Sequence, residues 1–418
     1  MLLATLLGGG CAGTGYRAAR ETDAAILSLE YVYAELKRSY YDPDFRGKDM
    51  QAQYENARLA IARAQTYQQR FQAVRNFLYQ LDDSHTGFTA HGSVGLYDYG
   101  FNIRFYGDAP FVSAVDTWSF ADSVGLRRGD EIVKFAGQTL TRADYARVVS
   151  DFLAQHPIPT LDLEVRTPNR SLGTLVLRAD TAALRKMPGK QYRRLLSSAR
   201  DSAERATHHI QNSIDDRVFY WKLPHFTDAD RGLGRAVARA RKHDVLIFDL
   251  RGNHGGVIKT LETLVGYFTD EPVEVGTLHM RWDKERYRAK PENDRFTGKL
   301  FILVDSETAS AAEVFARLMQ IRRRGTVVGD RTAAAVMASM FWRYVVGNGM
   351  VVGASITVSD FVLYNGERLE KTGVQPDIRI VPTPQDIAAG VDPVLAYALR
   401  ENGIQVTPAQ AAELIIAK

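Results

Sequence analysis

Cysteine is almost absent. Cys11 is the only one in 418 residues, so no disulfide can close within the chain and no cysteine-based metal site can be built. Histidine is sparse as well, and none of its nine copies falls into an HExxH pattern, so the chemistry needs neither a metal nor another cofactor. Charge of one sign is also missing: 53 Lys and Arg against 49 Asp and Glu leave +4. The basic clusters at 185–194 and 322–324 lie in helix-like stretches with few aromatics, which reads as solvated faces and sets aside nucleic acid as a partner. Beyond the first dozen residues no run is long and apolar enough to cross a bilayer. Neither GxGxxG nor GxxxxGK[ST] occurs, so the glycine turns carry no nucleotide signature. What is present suits large cores: 45% apolar and 24% charged residues, enough chain for two or three domains.

The chain opens with apolar and then small residues ending at Cys11, similar to the end of a bacterial lipoprotein signal, where such a cysteine is lipidated. For residues 1–22 the expectation is export, with Cys11 as candidate lipid anchor of a periplasmic or membrane-attached protein; the alternative is an incidental cysteine at a terminus. Residues 23–92 read as a helical domain, with Ala24, Leu29, Val32 and Leu36 on one face and a break at Tyr41-Asp42-Pro43-Asp44. It ends in Asp83-Ser84-His85-Thr86, where His85 is either a satisfied turn residue or a base. Residues 93–180 change to short strands and turns, 181–216 read as a charged helical connector, 217–400 alternate strand and helix, and 401–418 form a tail.

Within the alternating region, residues 301–304 are an apolar strand, 305–308 a polar turn, and Ala311 opens a helix with Val314, Phe315 and Leu318 on one face. Ser310 therefore sits at the helix N-terminus. One reading is a capping box with Glu313; the other is a nucleophile beside backbone N–H groups that favour negative charge. Upstream, Arg251-Gly252-Asn253-His254-Gly255-Gly256 offers further bare N–H groups able to meet an oxyanion.

Two resemblances then arise. Ser123-Val124-Gly125-Leu126-Arg127-Arg128-Gly129-Asp130-Glu131-Ile132 looks like a PDZ domain, which implies a peptide-binding strand edge with its carboxylate loop at Asp98, Tyr99, Gly100 and Phe101. Together with Asp83-Ser84-His85-Thr86, Asp249-Leu250-Arg251-Gly252, Thr308-Ala309-Ser310-Ala311-Ala312-Glu313, Val328-Gly329-Asp330-Arg331-Thr332 and Gly373-Val374-Gln375-Pro376-Asp377, the order resembles the serine peptidase family of carboxyl-terminal processing proteases and the tricorn core protease. That resemblance implies an α/β fold: a crotonase/Clp-like β-α spiral core, an N-terminal helical domain and an inserted PDZ-like β domain. In the processing branch a lysine follows the serine about 25 residues on, where this chain has Ala335, and alanine cannot act as a base. The tricorn-like branch implies instead Ser310 as nucleophile, His85 as base, and Glu370 orienting His85 through Ser84. It also implies an oxyanion hole from Gly255 and Ala311. The expected function is a serine endopeptidase acting on unfolded or extended polypeptides, with oligomeric state left open; the alternative is a non-catalytic ligand- or peptide-binding protein on the same fold.

Overall fold

The computed structural model describes residues 11–90, 99–155, 160–179, 209–227, 230–347 and 349–416. The lipoprotein-like residues 1–10 and most of the expected connector, 180–208, lie outside them, as does Asp98. Three helices come first: α1 (Cys11–Ser39), α2 (Met50–Arg63) and α3 (Tyr67–Tyr79). The break after α1 is made by Asp42, whose carboxylate accepts from the amides of Asp44 and Arg46 at 3.0 and 2.8 Å. α3 starts with a full capping box between Thr66 and Gln69. Strand β1 (Gly87–Ala90) follows directly on the His85 loop.

An inserted β domain comes next: β2 (Phe101–Tyr106), β3 (Ala109–Val115), α4 (Phe120–Ser123), β4 (Glu131–Phe135), α5 (Tyr145–Gln155), β5 (Thr160–Arg166) and β6 (Leu172–Arg178). Its five strands form one antiparallel sheet in sequence order around Val112, Leu126, Ile132, Leu161 and Leu163. The core domain starts earlier than expected. Residues 210–213, expected in a helical connector, are strand β7 (Ile210–Ser213), paired antiparallel with β8 (Val218–Lys222). Ser213, Asp215 and Val218 close a short hairpin there, with the Asp215 carboxylate holding the amide of Val218 at 2.7 Å.

The chain then runs through α6 (Asp230–Ala240), β9 (Val245–Asp249), α7 (Ile258–Phe268), β10 (Val273–Met280), β11 (Lys284–Ala289), β12 (Lys299–Val304), α8 (Ala311–Ile321) and β13 (Thr326–Gly329). It ends with β14 (Met337–Val346), β15 (Met350–Leu363), β16 (Ile378–Arg379), α9 (Pro384–Ala389), α10 (Pro393–Arg400) and α11 (Pro408–Ile416). The last helix occupies the stretch expected to be a tail, and Ala411 is fully buried beside α10. Strands β16-β13-β12-β9-β8-β7 form a six-stranded sheet, parallel except for β7. Alternate residues serve two cores: Phe219, Trp221, Leu246, Phe248 and Ile302 face α6–α8, while Val218, Tyr220, Ile247 and Leu303 face α10 and α11. A second sheet, β1-β15-β10-β11 with β14 on β15, joins the helical domain to the core. Sequence reading assigned nothing to β10, β11, β14 and β15.

Candidate active site

Ser310 stands where β12 gives way to α8. The turn before it is tied by Asp305, whose Oδ1 accepts from the amides of Gly252, Glu307 and Thr308 at 3.0, 3.0 and 3.1 Å. Thr308 passes its hydroxyl to the carbonyl of Leu250 at 2.9 Å, and Ala309 donates to the carbonyl of Asn253 at 2.9 Å. Held at both ends, Ser310 takes φ 56° and ψ −125°, outside the basins open to L-residues. Such a conformation costs about 1–3 kcal/mol and places a serine at a sharp strand-to-helix turn. It is not the extended conformation of an ordinary N-cap. Half of the expected capping box does form: the Ser310 amide donates to Glu313 Oε2 at 3.0 Å and to the carbonyl of Ala335 at 2.9 Å.

Glu313 is fully buried and gathers more than that. It accepts from the amides of Ala334 and Ala335 at 2.9 and 3.0 Å and from the hydroxyl of Thr332. Burial pushes its pKa up to about 7, against the pull of the donors around it. Where the related branch has its lysine, Ala335 contributes backbone alone.

The histidine half is built differently. Asp83 accepts from the amides of His85 and Thr86 at 3.0 and 2.7 Å, the hydroxyls of Thr86 and Thr357 at 2.9 and 2.7 Å, and Tyr40 OH at 2.8 Å. It thereby pins the His85 loop to α1 and β15. Glu370 Oε1 accepts from the Ser84 amide at 3.1 Å; Oε2 accepts from Ser84 Oγ at 2.8 Å and from the Val336 amide at 2.9 Å. Ser84 Oγ lies 2.7 Å from His85 Nδ1.

Proton counting fixes the tautomer. The single hydroxyl hydrogen of Ser84 goes to Glu370, which as a carboxylate can only accept. Ser84 Oγ must then accept from Nδ1–H, so Nε2 of a neutral His85 carries the lone pair a base needs. Burial lowers the His85 pKa below its ordinary 6.5, outweighing the opposite influence of Glu370 and Asp83.

His85, Ser310 and Ala311 line one cavity of about 350 Å³, with Gly256 and His254 at its rim and Ile258, Leu261, Leu278, Val314, Met337 and Phe361 inside. One expected oxyanion donor is displaced. The Gly255 amide donates to Asn253 Oδ1 at 2.7 Å and is not available to a substrate; Gly256, the next residue, lines the cavity. Asparagine two residues before the glycine was the available signal, since Asn side chains commonly hold the backbone two residues on. Gly255 matters by its shape: at φ 82°, a Cβ there would lie 2.7 Å from Ser310 Cβ. Sequence reasoning gave no role to Asp83, Thr357 or Tyr40, which are far apart in the chain and meet only in the fold.

Tyr99, Gly100 and Phe101 are placed apart from this cavity. Tyr99 is buried against Phe152, and Gly100 packs so close to Ser119 that a Cβ would collide with it at 2.2 Å. Among the described residues there is no cluster of three or more His, Cys, Asp or Glu able to hold a metal, and no helix long and apolar enough to cross a membrane.

Residues 217–380 match the model of Peptidase family S41. The tail-specific protease of Haemophilus influenzae is 32% identical over 146 residues, covering 33% of this chain, which spans only 20% of that protein. The chloroplastic C-terminal processing peptidase of Tetradesmus obliquus is 24% identical over 382 residues, covering 86% of this chain and 78% of that protein. Among solved structures, mature CPAF complexed with lactacystin aligns with a TM-score of 0.64 at 15% identity, over 95% of this chain and 100% of that one, a likeness of fold.

Proposed function

Starting from a chain whose residues 217–380 form a peptidase family S41 domain, we propose that it is a serine endopeptidase of the Ser-His-Ser-Glu type that cleaves extended polypeptides. The observation that carries this reading is the hydrogen-bond relay Glu370–Ser84–His85 ending in a cavity that also holds Ser310. Ser310 Oγ attacks the scissile carbonyl carbon while His85 Nε2 takes its proton. The imidazolium so formed is held by Ser84 Oγ, whose own hydrogen stays with the Glu370 carboxylate. Amides of Gly256 and Ala311 meet the tetrahedral oxyanion, each such donor being worth about 3 kcal/mol of transition-state stabilisation. His85 returns the proton to the leaving amine, and a water, deprotonated by the same nitrogen, then releases the acyl group from Ser310. Apolar walls around the cavity favour an apolar side chain beside the cleaved bond.

A fluorophosphonate probe tests the assignment. It should label Ser310 in the native chain and fail to label the His85→Ala protein at a comparable rate. An unlabelled native protein would overturn the catalytic reading and leave a binding protein. The inserted β domain fits a PDZ-like recruiter of chain ends, and Cys11 a lipid anchor of an exported form. Metabolic labelling with a palmitate analogue should mark the native chain and be abolished by Cys11→Ser; a native chain that stays unlabelled would refute the anchor.

A further inference from the structure

The second sheet continues outward from the catalytic cavity, and its outer face is apolar and left open. Leu278 of β10 pairs with Phe361 of β15, and both line the cavity. A bulge between Ala338 and Ser339 of β14 puts both on this same face, opposite Ser359 and Thr357. Beyond the bulge, Phe341, Arg343 and Val345 follow at alternate positions opposite Ser355, Gly353 and Val351. Across β15, Gly87 and Thr89 of β1 continue the face, two residues after His85. One surface thus runs from the cavity floor past both catalytic halves.

Two features of this face call for an occupant. Phe341 lies over Gly353, where a Cβ would sit 2.2 Å from its ring, yet it remains 59% exposed, and Val345 remains 66% exposed. Covering a glycine explains an aromatic here; it does not explain two large apolar side chains left in water on one strand. Among the described residues β14 pairs only with β15, so its other edge offers unpaired N–H and C=O groups. An open apolar edge is a hazard in a folded protein unless something uses it.

The geometry points to β14 as the docking track for polypeptide substrate: an extended segment flanking the scissile bond adds as a strand to the β14 edge, with apolar side chains at alternate positions resting on Phe341 and Val345. Continuity with the cavity names the occupant, because a chain leaving the Ser310 site along this face must pass Ser339, Phe341 and Val345 in turn. From Ser339 to Val345 the track is about 20 Å, room for some six extended residues. Main-chain pairing supplies affinity and the alternating contacts supply preference. This inference rests on the peptidase reading.

The test uses the full chain. Full-length Ser310→Ala protein should bind a fluorescent decapeptide with apolar residues at alternate positions, and Phe341→Glu with Val345→Glu should weaken that binding at least about tenfold. In the active protein the same pair should lower kcat/KM for the decapeptide at least about tenfold while changing a short three-residue substrate less than about twofold. Val345→Glu alone should give a smaller loss of the same kind, and Leu59→Glu, a change at an exposed apolar residue of α2, none. Unchanged fluorophosphonate labelling of Ser310 shows that the variants are folded at the site. Equal losses on long and short substrates, no loss on either, or unaltered binding to the Ser310→Ala protein would overturn the track. So would sedimentation showing a native dimer that the double variant converts to monomers, since the edge would then belong to a second copy. Absent labelling of the native protein with decapeptide binding intact would instead overturn the peptidase reading and leave the docking surface standing.

Discussion

The two halves of the site are held by opposite means. Around Ser310 the work is done by backbone and burial: a strained φ, a glycine with no room for a Cβ, and a carboxylate sealed inside. Around His85 it is done by side chains near the surface, with Asp83, Tyr40, Thr357 and Glu370 converging from segments up to 286 residues away from the loop they hold. A buried backbone device is rigid and intolerant of change, whereas a polar network on a lip can be edited at small cost to the fold. Damage to the first half should therefore appear as lost stability, and damage to the second as lost rate.

The largest effect sharpens that contrast. His85→Ala should lower kcat by about 10⁴-fold or more with the melting temperature within a degree or two of native. Ser84→Ala, which breaks only the relay, should cost less, about 10²-fold, because Nε2 remains beside Ser310. Near-native hydrolysis by the His85→Ala protein would send the search for a base elsewhere.

On the serine side, Glu313→Gln should cost about 3 kcal/mol in denaturant unfolding, since an amide NH₂ must then face donors that now meet a carboxylate. A loss under 1 kcal/mol would show that the contrast between halves is false. The same variant separates the halves by pH. A carboxyl raised from 4.5 to about 7 binds more protons folded than unfolded across that window, so its contribution to stability declines as pH rises from about 4.5 to about 7. Glu313→Gln should remove that decline. His85 acts in the other direction: its folded pKa is lowered, so stability is lost as pH falls below 6.5, and the acid limb of kcat/KM should lie below 6.5. An acid limb above 6.5 would contradict a buried neutral base.

Legibility in the sequence followed the same division. The strand–turn–helix around Ser310 could be read locally, because an apolar run, a polar turn and a helical face occupy sixteen adjacent residues. His85 could not: a histidine between two hydroxyl residues has no local signature, and only the resemblance gave it a role, along with Ser84 and Glu370. Misplacing the oxyanion donor onto Gly255 came from reading glycines as bare amides without asking what Asn253 would do with them. Strands β10, β11, β14 and β15 went unread for a physical reason. They carry small and polar residues such as Ser339, Ser355, Thr357 and Ser359 on one face, so no long apolar run announces them, and their pairing is with strands distant in sequence.

The smallest predicted effect asks which half the inserted β domain serves. Arg104 of β2 pairs with Asp305 and Glu307, both in the turn that presents Ser310. Arg142 pairs with Asp330 and reaches the carbonyls of Gly107 and Arg331, next to the segment that accepts the Ser310 amide. Contact with the histidine side is more remote, through Gln72 of α3 to Asp151 and Ser150 of α5 at 2.9 and 3.0 Å. Each arginine is largely covered, so removing its charge leaves Asp305 or Asp330 short of a partner at the foot of the nucleophile turn. Arg104→Met should then lower kcat several-fold, for short and long peptides alike, without moving KM for the short one. Such an equal fall would mean that the domain acts on the geometry around Ser310. A fall confined to long substrates would assign it to recruitment instead, as strand addition at a PDZ-like edge implies. If neither substrate responds, the domain touches the serine turn without governing it, and the rigid half of the site owes its rigidity to the core alone.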